Sequence, residues 1–66
     1  MNLKVNGDPQ QLPKGATLGQ LLEQLGLGEK RLAVERNGDI VLRSDYTSCV
    51  LEEGDKLEIV QAIGGG

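Results

Sequence analysis

Few side chains in this 66-residue sequence could act on another molecule. It contains no histidine, and Cys49 is its single cysteine. Without histidine, both the usual general base and the commonest metal ligand are missing. One cysteine cannot close an intramolecular disulfide or build a Cys-rich zinc or iron–sulfur site. No histidine or basic cluster lies near Cys49 in sequence to activate its thiol. Cys49 is therefore read as a small, partly buried apolar side chain, with a persulfide or thioester role as the competing reading. The remaining candidate is the end of the chain, Gly64-Gly65-Gly66. A glycine run can be a frayed terminus or an expression remnant. It can also be a reagent, because it ends in a carboxylate.

The context favours the second reading. The glycines follow a strongly β-forming run, Leu57 to Ile63, so a last strand projects them from the body. Three residues reach at most about 10 Å, enough to insert a carboxylate into another protein's site. Glycine has no Cβ, so such a peptide passes a narrow channel and adopts any backbone angle the site demands. Ordering it on each visit costs entropy, which a carrier that must also leave can tolerate. A carboxylate is a poor electrophile at neutral pH and needs activation, usually as an acyl-adenylate. This chain has no group to do that, so the activating chemistry must come from a partner.

Composition narrows the field further. A chain this short is one domain with a thin core, which leaves no room for a deep catalytic cavity. Seven Lys/Arg against ten Asp/Glu give a net charge of -3, and Tyr46 is the sole aromatic residue, assigned to packing. A basic footprint with stacking rings is thus missing, which argues against nucleic acid. The N-terminal residues read as a strand and not as a signal peptide, and no apolar run approaches membrane-spanning length. Cytoplasmic residence is the expectation.

The elements that must position the end of the chain follow from periodicity. Met1, Leu3 and Val5 alternate with polar residues, as in a strand with one buried face. Asn6-Gly7 is a hairpin turn. Gln10 to Leu12 returns as an edge strand bracketed by Pro9 and Pro13. Thr17 and Gln20 form a capping box. Leu18, Leu21, Leu22 and Leu25 form one face of a helix over Leu18–Leu25, with Gly26 as its left-handed cap. A third strand covers Leu32 to Arg36, Asn37-Gly38 turns, and Asp39 to Leu42 forms a fourth, pairing Val34 with Val41. Arg43 to Val50 is a loop with room for one helical turn. Glu53-Gly54-Asp55 turns into the last strand, Lys56 to Ile63, with Leu57, Ile59 and Ile63 on one face. One short helix lying on one sheet gives a two-layer α+β fold, with residues 1–63 as the domain and 64–66 as a flexible tail.

Two surface features sit near that tail. Val60 and Ala62 share a face with Glu58; they form either an exposed apolar patch for a partner or ordinary strand packing. Glu52, Glu53, Asp55 and Glu58 form an acidic cluster, which is either a solvated turn or a steering surface for a basic partner.

The order hairpin–helix–hairpin–strand, with Leu21-Leu22-Glu23-Gln24-Leu25, Ile40-Val41-Leu42-Arg43, Glu53-Gly54-Asp55 and Gln61-Ala62-Ile63-Gly64-Gly65-Gly66, resembles the ThiS family of thiamine-biosynthesis sulfur carriers. The resemblance covers the whole chain. It implies a ubiquitin-like β-grasp fold, a mixed sheet of four to five strands whose first and last strands run parallel at the centre. It implies no bound cofactor. An E1-like adenylyltransferase would use ATP and Mg²⁺ to adenylate the Gly66 carboxylate. A sulfur donor, such as a cysteine desulfurase, would convert it to a thiocarboxylate for thiazole synthase. Gly65 and Gly66 match the family's diglycine, and Gly64 adds a third small residue. The small subunit of molybdopterin synthase and a ubiquitin-like protein modifier are the alternatives.

Overall fold

The computed structural model describes residues 1–61; Ala62, Ile63, Gly64, Gly65 and Gly66 lie outside the described residues. Strands β1 (Asn2–Val5) and β2 (Asp8–Gln11) are followed by helix α1 (Leu18–Gln24), then β3 (Leu32–Arg36), β4 (Asp39–Val41), a 3-10 turn at Arg43–Asp45, and β5 (Lys56–Gln61). The strands form one five-stranded sheet in the order β2-β1-β5-β3-β4. β1 and β5 are parallel and the other pairs antiparallel, so the sheet is mixed. This is the β-grasp arrangement, with β5 at the centre.

Both hairpins turn through two residues. Asn6 and Asn37 have φ of 51°, and Gly7 and Gly38 follow at 85° and 90°. Successive positive φ values define the turn whose twist matches paired strands, which is why Asn-Gly occupies both. The resulting registers set Val5 against Asp8 and Arg36 against Asp39.

The sequence expectation for β2 needs correcting. The strand begins at Asp8, so Pro9 lies within it, opposite Lys4, and Leu12 lies beyond its end. Proline is admissible because β2 is an edge strand and its missing N–H faces no neighbour. Leu12 donates its N–H to the Met1 carbonyl at 3.0 Å and turns its side chain into the core.

Helix α1 is short but fully tied. Gln20 N–H donates to Thr17 Oγ1 at 3.2 Å, and Thr17 N–H donates to Gln20 Oε1 at 2.9 Å, completing the capping box. Leu18 and Gly19 donate their N–H groups to the Cys49 and Tyr46 carbonyls, at 2.8 and 2.9 Å. Two donors of the first turn are therefore spent on the 43–50 loop, and a third on the Thr17 cap. Gly19 matters here, since a Cβ would stand 3.4 Å from the Tyr46 oxygen. At the other end Leu25 is the cap, one residue past the helix. Gly26 at φ 76° directs Leu27 N–H back to the Leu22 carbonyl at 2.8 Å.

The core joins Leu18, Leu21 and Leu22 of α1 to Leu3, Val5, Val34, Leu57 and Ile59 of the sheet, with Leu12, Ala16 and Leu51 closing its rim. Cys49 and Tyr46 are half-buried and pack against it, as an apolar role for each requires.

Candidate functional site

Everything that leads to the end of the chain passes along β5, and three separate devices hold that strand. The first is ordinary pairing: five residue pairs with β3, from Leu32–Gln61 to Arg36–Leu57. The second makes up for a short neighbour. The β1 ladder pairs only Lys4 with Lys56 and Val5 with Leu57. Beyond it the Asn6 side chain takes over. Its Oδ1 accepts from Ile59 N–H at 2.8 Å and its Nδ2 donates to the Ile59 carbonyl at 3.0 Å. A side-chain amide thus mimics one more strand residue.

The third device fixes the turn that starts β5. Asp55 is 5% exposed, and its carboxylate accepts three hydrogen bonds and makes one further ion-pair contact. The donors are Glu52 N–H at 2.8 Å, Asn37 Nδ2 at 3.0 Å and Arg36 Nε at 2.9 Å, and Arg36 Nη2 makes the ion-pair contact at 2.9 Å. Burial alone would push the Asp55 carboxyl up. The Glu52, Asn37 and Arg36 hydrogen bonds outweigh it and hold the group below its ordinary value. The expectation of a solvated acidic cluster is therefore wrong for Asp55, which is a buried structural anion. Glu52, Glu53 and Glu58 are exposed as expected. Arg36 Nη1 also points at the Cys49 sulfur, 3.6 Å away.

With β5 held, its two faces separate cleanly. Leu57 and Ile59 are buried under α1, while Lys56, Glu58 and Val60 face away from the helix. Val60 is 64% exposed, so its side chain takes no part in the packing under α1. Ala62, the other half of that expected patch, and Gly64, Gly65 and Gly66 lie outside the described residues.

The outer face holds residues that the sequence reading missed. Ala33 stands opposite Val60. Val34 pairs with Val41, so Leu42, one step on, continues the row beside Ala33. Val60 and Ala33 are thus cross-strand partners bordering Gln61, with Leu42, one residue past the end of β4, next along that row. In the next row Glu58, Glu35 and Ile40 are successive partners. Ile40 and Leu42 are 68% and 63% exposed. The signal was present in the sequence: a two-residue turn pairing Val34 with Val41 places the even-numbered Ile40 and Leu42 on the face opposite Val34.

The described residues offer little chemistry of their own. No group of three or more His, Cys, Asp or Glu among them could hold a metal ion. No helix among them is long and apolar enough to cross a membrane. A small hollow lined by Leu25, Leu27, Leu32, Ile59 and Gln61 opens beside the end of β5, with Asp8 as its only charged lining residue.

Comparison with known proteins fits this body. The ThiS family profile matches residues 3–66. A thiazole synthase of Paramagnetospirillum magneticum is 44% identical over all 66 residues, and the chain spans only 20% of that protein's length. The sulfur carrier protein ThiS of Escherichia coli is 32% identical, with both chains covered completely. The crystal structure of the thiamine biosynthesis protein ThiS from Geobacter metallireducens superposes with a TM-score of 0.84 at 30% identity, again covering both chains completely. With a match that runs to the last glycine and a sheet of the same architecture, the chain belongs to the ThiS family.

Proposed function

We propose that this chain is a sulfur carrier in the synthesis of the thiamine thiazole, a protein cosubstrate and not an enzyme, and that the Gly66 carboxylate is the group it loads. The observation that carries this reading is the family match through residue 66, which includes Gly64, Gly65 and Gly66. The rest of the molecule is consistent with it: a rigid body with no histidine, whose central strand points toward the glycine end.

In this reading an E1-like adenylyltransferase supplies ATP and Mg²⁺. The carboxylate oxygen of Gly66 attacks the α-phosphate, pyrophosphate leaves, and an acyl-adenylate forms. The terminal sulfur of a donor persulfide, such as one on a cysteine desulfurase, then displaces AMP. A thiol cleaves the resulting acyl disulfide, leaving a thiocarboxylate on Gly66 and a disulfide on the donor side. Thiazole synthase takes up the sulfur and the carboxylate returns. The chain's own contribution is mechanical: β5 holds Gln61 at the sheet centre while Gly64 and Gly65, lacking Cβ, thread the partner's channel.

The test is to incubate the full chain with the activating enzyme, ATP and a sulfur donor, then fragment it in a mass spectrometer. One oxygen replaced by one sulfur, localised to Gly66, is expected. Localisation is essential, because oxidation at Met1 or Cys49 adds nearly the same mass. Removing Gly66 should abolish loading and leave Tm almost unchanged. An isopeptide to lysine, or loss of folding on that deletion, would overturn the reading.

A further inference from the structure

The two turn asparagines act on opposite ends of β5. Each stands first in its turn with φ of 51°, and each is followed by glycine. Glycine at the first position would satisfy the turn geometry as well, so the amide side chains need their own explanation. At the start of the strand, Asn37 Oδ1 accepts from Lys56 N–H at 2.9 Å and Nδ2 donates to Asp55 Oδ1 at 3.0 Å. Toward its end, the Asn6 amide takes both the N–H and the carbonyl of Ile59. The first end is held several times over: Arg36 and Glu52 N–H also bind the Asp55 carboxylate, and Lys4 N–H donates to the Asp55 carbonyl. The second end is not. Among the described residues the β1 ladder stops at Val5–Leu57, and a hollow bounded by Leu25, Leu27 and Gln61 opens beyond Asn6. Past Ile59 the strand keeps only its β3 side, through Val60–Ala33 and Gln61–Leu32, and Leu32 is the first residue of β3.

We propose that Asn6 is a positioning residue for loading of the carboxyl terminus: its amide fixes the point from which the last residues of the chain leave the body. The assignment rests on the carrier reading and adds to it the residue that sets where the delivered peptide begins. With Ile59 held from both sides, β5 stays paired to Gln61, and the five residues after it span at most about 17 Å. Without the amide, Ile59, Val60 and Gln61 are held by β3 alone. A strand end paired on one side opens more readily. Each residue that opens must be ordered again whenever the carboxylate enters an active site. The anchor also retreats, because seven residues follow Ile59, at most about 24 Å of chain. A longer tether lowers the effective concentration of its end, so the carboxylate is aligned for attack in fewer of the complexes formed. The rest of the surface is unchanged by a substitution in this turn. An effect on docking would therefore appear in KM, and an effect on alignment in kcat.

Adenylation isolates the step. The full chain is offered to the activating enzyme of its own organism with ATP and Mg²⁺, well below the Tm of every variant. Exchange of pyrophosphate into ATP gives kcat and KM for the carrier. Asn6→Gly keeps the left-handed turn and removes both bonds to Ile59; its kcat should fall roughly tenfold, with KM within about twofold of wild type. Asn37→Gly is the matched control. It makes the same change in the other turn, removes two side-chain bonds at the start of β5, and should react with the wild-type kcat. Amide exchange gives the structural readout: Val60 should exchange faster relative to Val34 in Asn6→Gly and not in Asn37→Gly. If Asn6→Gly does not fold, Asn6→Asp carries the test. It keeps the turn and the acceptor for Ile59 N–H, loses the donor to the Ile59 carbonyl, and should also lower kcat at unchanged KM. Wild-type kcat in the Asn6 variants overturns the assignment. So does an equal fall in Asn6→Gly and Asn37→Gly, which would make the effect one of stability alone. A raised KM at unchanged kcat overturns it too, because Asn6 would then be a docking contact. A wild-type chain that supports no exchange overturns the carrier reading itself.

Discussion

The two faces of β3 and β5 are built from alternate residues of the same strands, yet they obey opposite rules. On the inner face Val34, Leu57 and Ile59 are buried against α1. Their types follow from burial alone, since fully burying such a side chain contributes roughly 1.5–3 kcal/mol. On the outer face Ala33, Glu35, Glu58 and Val60 include an uncompensated charge pair and an exposed valine. Nothing in the folded monomer selects for either. The difference teaches which positions the fold constrains and which it leaves free, and substitutions on each side should behave accordingly.

The largest effects belong to the inner face and to the anion beneath it. Leu57→Ala should cost about 2–5 kcal/mol, the usual range for truncating a buried leucine. The whole domain is stable by only roughly 3–10 kcal/mol at ordinary per-residue values. Urea titration would show this as a large drop in midpoint without a change in slope. Asp55→Ala should cost about 3 kcal/mol, because it leaves the half-buried Arg36 with only its long contact to the exposed Glu52 and frees the Glu52 and Asn37 donors. The sign of the pH dependence follows. The folded Asp55 carboxyl sits below its ordinary value, so the unfolded chain binds its proton first. That stabilisation is complete above the unfolded carboxylate range near pH 4 and is lost as pH falls through the lower folded value. Thermal melts from pH 6 down to pH 2 should show Tm falling most steeply there, with a shallower fall in Asp55→Asn. Equal slopes would show that Asp55 is not the linked group.

Next in size is the Asn6 clamp. Asn6→Gly keeps the left-handed turn but removes both bonds to Ile59, and should cost about 1–2 kcal/mol. Amide exchange at Ile59 should quicken while that at Val34 changes in step with global stability only.

How far the sequence alone could carry this depends on the range of each interaction. The helix, both Asn-Gly turns and the Val34–Val41 register were legible because capping boxes, two-residue turns and alternation are local signals. Pro9 inside β2 was not, because its admissibility depends on β2 being an edge, which only the assembled sheet decides. Asp55 was read as a solvated turn residue because its partners, Arg36 and Asn37, lie 19 and 18 positions away. The role of the Asn6 side chain escaped for the same reason: its partner is 53 residues distant. The outer row was half legible. Val60 was found from β5 by itself, whereas Ile40 and Leu42 join it only when β3 lies between them.

The smallest effects test the other side of the comparison. Val60→Ser should change stability by no more than about 0.5 kcal/mol, since an exposed side chain on this face has little packing to lose. Glu35→Gln goes further and should stabilise the free protein. Removing one of two directly opposed carboxylates relieves a repulsion of about 0.2–1 kcal/mol, worth roughly 1–8 °C in a domain of this size. Salt gives the independent check. Screening weakens the same repulsion, so the wild-type Tm should climb with added sodium chloride toward that of the variant, and the gap between them should close. A variant that melts below the wild type at every salt concentration would mean that Glu35 contributes to the fold after all. The outer face would then be ordinary surface, and the division between the two faces would lose its meaning.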